Sequence, residues 1–361
     1  MRTIFLKSVM LLGLGMSFSF AQSASKNTLD VHVGIYAPFT NKQAFIGRNI
    51  LGAMEMARDK TQTDNIHYSF YTLDALPAKD SNASGTLQKF IDTHKINVLV
   101  TEGSKNGLMV VPLAKKNNLL HFSMASDPRI ADGKNNFLAW SPEYEQAAVM
   151  VKALKQKNIK EIALISTDEL SDQVLSQSVV EQLKKNSSIN IVLQEQIKAN
   201  TTEYSSLMQK LKNKSPQLYV IMASPEKIEG IQAAMTQAHI QKPITSIVDR
   251  VTPKVMKVFN GQWYIDTHEM KSDFINEYQE ANFNYPTTEA GYAFDVFNMV
   301  NKSISASLKK TSEFSIAAIV QQIHLQASGQ GVMGPFNLDR QGVLYTQSEV
   351  KKIKDGKVLT A

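Results

Sequence analysis

The 361-residue chain carries a formal charge of +6, has no cysteine, and is 43% hydrophobic, 20% charged and 8% aromatic. This is the composition of a folded globular protein long enough for about two domains. It excludes disulfides, thiol catalysis and cysteine-ligated metal, and its scattered lysines form no dense basic stripe for nucleic acid.

In chain order, the first element is a leader. Arg2 and Lys7 precede an apolar run from Val9 to Phe20, and Ser19-Phe20-Ala21 places small residues at the two positions a signal peptidase reads. The run has 12 residues, whereas a spanning helix needs about 20. Residues 1–21 are therefore expected to be a signal peptide cleaved after Ala21. With no cysteine to lipidate and no later spanning segment, the mature chain is expected to lack a membrane anchor and to move freely in a Gram-negative periplasm.

Short β-branched runs then alternate with helical patterns. Strands are predicted at Val31–Ile35, His67–Tyr71, Val98–Val100, Leu119–Ser123, Ile162–Ser166, Ile189–Gln194, Leu218–Met222 and Ile244–Val248. Between them, Leu87, Phe90 and Ile91 share a helical face, as do Ala147, Met150, Val151 and Leu154. Tyr204, Leu207, Met208 and Leu211 do the same, with Thr202 as the expected cap. A long helix is predicted from Glu289 to Leu308, with Tyr292, Val296, Met299 and Val300 inward. Turn signals at Asn337–Gly342 and Asp355-Gly356 predict hairpins that finish a sheet. Such alternation argues for an α/β fold with parallel sheets in two similar halves, about 29–140 and 141–248.

No catalytic or metal motif appears. The seven histidines are dispersed, and His32, His67 and His121 fall in predicted strands, where a structural role is the commoner one. There is no H-E-x-x-H, nucleophile elbow or phosphate loop. Gly13-Leu14-Gly15 lies in the leader, and the glycines from 329 to 334 follow no predicted strand. No enzyme activity, cofactor or metal is expected.

Five segments in order resemble one family. They are Val33–Thr40; Gly47–Ala57; Leu119–Pro128; Thr201–Leu207; and Gly334–Asp339 with Gly342 and Asp355-Gly356-Lys357. The chain resembles type I periplasmic solute-binding proteins of the branched-chain amino-acid (leucine/isoleucine/valine) ABC-transporter class. The resemblance implies two Rossmann-like lobes joined by a three-strand hinge, a Venus-flytrap that closes on a small molecule and delivers it to a membrane permease, and a monomer. It implies crossovers near Ala139–Pro142, Val248–Val251 and Ser328–Gly334. Lobe one would be 29–140 plus 251–327, and lobe two 141–249 plus 328–361.

The resemblance also places a ligand site. Ser104, in the loop from Glu102 to Asn106, and Ser126, after Met124 and Ala125, match hydroxyl residues that grip an amino acid; helix capping is their ordinary alternative. Phe45 matches an aromatic on the cleft rim, and Asp249 an acidic partner for a ligand ammonium. Ser171, with Asp172, stands where the family has a tyrosine-glycine, and Ala223 or Ser224 replaces a second tyrosine. Trp140 replaces a smaller residue at the first crossover, as a stacking surface or as core. With Glu102 these departures imply a small polar ligand, an amino acid or related amine or amide. The rival expectation is a ligand sensor or regulatory partner of an envelope protein with a degenerate cleft.

Overall fold

The computed structural model describes residues 28–61, 65–75, 82–185, 188–248, 251, 253–267, 269–311 and 313–361. The predicted leader and Asp249 lie outside the described residues. The first run of elements is β1 (Leu29–Ala37), α1 (Ala44–Lys60), β2 (Ile66–Asp74), α2 (Ala83–His94), β3 (Val98–Glu102), α3 (Ser104–Asn117), β4 (Leu120–Met124) and β5 (Asn136–Ala139). A second run follows: α4 (Glu143–Gln156), β6 (Glu161–Thr167), α5 (Leu170–Lys185), β7 (Asn190–Ile197), α6 (Ser205–Lys212), β8 (Leu218–Met222), α7 (Pro225–Gln237) and β9 (Ile244–Thr245). The remainder is α8 (Pro253–Val258), β10 (Trp263–Asp266), α9 (Ser272–Asn282), α10 (Thr288–Thr311), α11 (Ile316–His324), β11 (Ser328–Gly331), β12 (Gly334–Leu338), β13 (Val343–Thr346), β14 (Glu349–Lys354) and β15 (Lys357–Thr360).

The two runs form two sheets. The first has the order β11-β12-β13-β5-β4-β3-β1-β2; the second is β7-β6-β8-β9, continued through an Ile247–Ile265 bridge into β10-β14-β15. Side chains alternate across a strand, so a strand covered on both faces is apolar throughout. On β3, Val98 and Val100 face the core under α1 and α10, while Leu99 faces the one under α2 and α3. On β6, Ile162 and Leu164 face α4 and α5, while Ala163 and Ile165 face α6, α7 and α8.

Two expected boundaries move. Val255, Val258, Phe259 and Tyr264 pack in a core of the second sheet, so residues 253–266 belong to that lobe rather than the first. β11, β12 and β13 join the first sheet, with Val343 and Leu344 pairing in parallel with Leu138 and Ala139. The tail is thus split, and only β14 and β15 serve the second lobe. The chain passes from the first sheet to the second after β5, returns after β10 and passes again after β13, rather than crossing near 250 and 330. β10 pairs with β14 along four residues, and across these strands Asp266 and Lys351 form a buried ion pair of 3.3 Å.

Smaller corrections are local. Ile244–Val248 is a two-residue strand. β5 and β10, four residues each, were too short for the periodicity to predict. The cap position of α6 falls to Tyr204 rather than Thr202. His67 is exposed and lies 3.2 Å from Asp30, whereas His121 is wholly buried as a structural histidine. Among the described residues, no helix is long and apolar enough to cross a membrane.

Candidate functional site

In both lobes the central strands run in parallel, so their carboxyl ends and the following helix N-termini gather at one edge. The two edges meet where α3 packs against α5. β3 and β4 end side by side, with Glu102 opposite Met124. Gly103 turns the chain into α3 with φ of 85°, a left-handed conformation that favours glycine, and its N–H donates to the Met124 carbonyl at 3.1 Å. The next N–H groups, at Ser104 and Lys105, head the helix and have no partner one turn back.

Ser104 and Ser126 are both buried at this edge, at 6% and 7% exposure. Neither is an ordinary cap: α3 is capped by Gly103 without a side-chain bond. The Ser126 carbonyl instead accepts the N–H of Glu143 at 3.1 Å, tying lobe one to the start of α4. Two hydroxyls beside a helix N-terminus can receive a carboxylate or another acceptor-rich group.

The other sequence-predicted residues divide. Glu102 is half-buried at the end of β3. Met124 is 3% exposed with its side chain in the core, so only its backbone faces the edge. Trp140 is also core, its ring 5.0 Å from that of Tyr292, which corrects the stacking expectation in favour of packing. Ser171 is half-buried in the first turn of α5; its neighbour Asp172 accepts a short hydrogen bond from the Thr167 hydroxyl, and burial holds its carboxyl above the usual range. Ala223 is half-buried at the end of β8, and Ser224 caps α7. Phe45, at 37% exposure, lies at the start of α1 and lines a cavity of about 270 Å³ with Arg48, Asn49, Asn284, Tyr285 and Thr287. The last three of these fall in the turn before α10, a segment whose polar, proline-containing sequence gave no signal of a site.

Around the crossovers, hydrogen bonds hold each passage of the chain. The Ser141 hydroxyl donates to the Thr346 carbonyl at 2.6 Å, and Tyr292 and Thr346 share a bond of 2.8 Å between hydroxyls. Glu145 accepts from the Ser348 N–H and hydroxyl at 3.0 and 2.6 Å. Sequence reading missed Glu143, whose carboxyl is 8% exposed with one oxygen unpartnered among the described residues; burial pushes its pKa up to about 7.

A family model described as periplasmic binding protein matches residues 30–342. The chain belongs to the periplasmic binding protein family. Among solved periplasmic binding proteins, a leucine-binding protein LivK from Thermotoga maritima is 17% identical, with a TM-score of 0.80, covering 92% of this chain and 97% of that one. The branched-chain amino-acid binding protein LivJ of Streptococcus pneumoniae, solved with isoleucine, is 16% identical with a TM-score of 0.76, over 91% and 97% of the two chains. A solute-binding protein from R. palustris, solved with 4-hydroxybenzoate, is 14% identical with a TM-score of 0.78, over 92% and 95%. At such identities the likeness establishes the shared two-lobed fold. No curated protein matches the chain by sequence.

Proposed function

We propose that this periplasmic binding protein captures a small polar ligand, an amino acid or related amine or amide, between its lobes and hands it to an ABC permease, acting as a monomer without catalysis. The observation that carries this is the pair of buried hydroxyls, Ser104 and Ser126, beside the N-terminus of α3, at the edge where the two lobes meet. Solved proteins of this fold hold isoleucine or 4-hydroxybenzoate, which supports a small ligand bearing a carboxylate. Asp249 remains the proposed partner for an ammonium group, and Glu102, Ser171 and Ala223 the proposed surroundings.

Free leucine, isoleucine and valine are expected to bind poorly. Ser171 and Ala223 cover little of an aliphatic side chain, whose burial is worth roughly 1.5–3 kcal/mol, or about a ten- to hundredfold change in affinity. Calorimetric titration with the three amino acids checks this, and submicromolar affinity for any of them would return the ordinary family specificity. Ser104→Ala with Ser126→Ala should weaken whichever ligand native mass spectrometry finds retained on the purified protein. Intact-mass measurement of periplasmic protein is expected to place the mature N-terminus at Gln22; a retained leader would overturn that reading.

A further inference from the structure

The cavity beside Phe45 has a chemistry that the serine pair does not share. Its floor is built by Asn49: the side-chain amide donates to the Phe45 carbonyl at 2.8 Å, and its oxygen accepts the Thr287 N–H at 3.0 Å. Asn49 thereby joins the first turns of α1 to the turn that opens α10. Asn49 and Thr287 are thus held in place by bonds within lobe one. Two rings flank the opening, Phe45 at 37% exposure and Tyr285 at 61%. An aromatic kept this exposed gains nothing from the core and offers a face to a flat group.

Two polar groups at this cavity have unused capacity. The Thr287 hydroxyl oxygen is buried and has no hydrogen-bond partner among the described residues. Such a group costs free energy until something bonds to it. Arg48 lines the same cavity, is exposed, and forms no ion pair with a described residue. A guanidinium beside a free hydroxyl, between two ring faces, is complementary to a carboxylate on a flat arm. One acidic group acts nearby: burial first, and the Glu269 carboxylate after it, hold the Tyr285 hydroxyl above its usual range, so a negative arm would approach from the Arg48 side.

We propose that Arg48 is a specificity-determining residue of the cavity beside Phe45, selecting ligands whose far arm is flat and ends in a negative group, with Thr287 donating a hydrogen bond to it. This rests on the reading that the chain binds a small molecule at the lobe edge, and it names the class of that molecule.

The test uses matched probes that exchange a carboxylate for a carboxamide: 4-carboxyphenylglycine against 4-carbamoylphenylglycine, L-glutamate against L-glutamine, and benzoate against benzamide. Each is titrated calorimetrically into the full mature protein. The charged member is expected to bind about ten- to a hundredfold tighter in at least one pair, as a charge-assisted bond implies. Arg48→Gln should erase that preference by weakening the charged member about ten- to a hundredfold more than the neutral one. Glu269→Gln, which removes the opposing charge, should increase the preference, and a variant that merely misfolds cannot do so. Equal affinities within every pair, a preference for neutral members, or an unchanged preference in Arg48→Gln would overturn the proposal. If no probe binds, the proposal fails. If in that case native mass spectrometry also finds no retained molecule, the binding reading fails with it; a retained neutral molecule would leave that reading standing alone.

Discussion

His121 shows what a single buried titratable group does to this molecule. Its ring nitrogens lie 2.9 Å from the Thr101 hydroxyl and 2.8 Å from Asn136 Oδ1, and the Asn136 amide in turn donates to Asp132 at 2.8 Å. The imidazole is fully buried, and loss of water pushes its pKa down to about 4, well below its ordinary 6.5. The unfolded chain therefore binds the proton more readily than the folded one. Stability is complete above about pH 6.5 and is lost as pH falls through 4. Between pH 7 and pH 5 the loss from this group should be about 2 kcal/mol. Urea denaturation at the two pH values checks this, and the difference should shrink in His121→Gln. A structural histidine at this position was legible from its place in a strand pattern. The exposed His67 was not, because β2 alternates and position 67 points outward.

At the scale of elements, the spacing of helices from sheets is set by small residues. A β-carbon added at Gly107 of α3 would lie 2.4 Å from the Ser123 hydroxyl and 2.6 Å from the Ile130 side chain. Neither can retreat freely, since Ser123 is held by Thr101 at 3.0 Å and Ile130 is in a core. Gly107→Ala should therefore destabilise the fold by about 1–3 kcal/mol, the usual cost of overpacking, read from the urea midpoint. Ligand affinity should fall as well, because α3 carries Ser104 at its start. The elements themselves were well marked in the sequence where they were long: Leu87, Phe90 and Ile91 of α2, and Tyr292, Val296, Met299 and Val300 of α10, are all buried as their spacing requires. The tail was misread because hairpin signals reveal a turn but not which sheet its strands will join. Only pairing between residues some 200 positions apart, such as Val343 with Leu138, decides that. The cavity at Arg48 escaped notice for the same reason, since its walls come from positions 45–49 and 284–287.

At the scale of the whole molecule, the hinge bonds limit where motion can occur. Ser141 with Thr346 sits on one side of the passage, and Glu145 with Ser348 on the other, so bending is confined to the few residues between them. Trp140 lies at the edge of that segment, packed on Tyr292, whereas Trp263 lies in β10 with the Lys157 ammonium 5.4 Å from its ring centre. Ligand-driven closure, which must be favoured by contacts made in the closed form, should alter Trp140 emission and leave Trp263 unchanged. In Trp263→Phe the whole fluorescence change should persist, accompanied by a smaller radius of gyration in X-ray scattering. An unchanged scattering profile and emission at saturating ligand would refute closure. Three passages were expected from family resemblance, but the later two turn on the pairing of β10 with β14, and partners such as Asp266 and Lys351, 85 residues apart, announce nothing in a sequence.

The split tail has a consequence for how the protein is made. The first sheet waits for β13, at residues 343–346, and the second waits for β14 and β15, at 349–360. A ribosome must therefore pass residue 343 before the first sheet, and residue 357 before the second, can acquire its last strand. Domains usually fold one after another during synthesis; these two complete their sheets within a few residues of each other, through pairings of long sequence separation that form slowly.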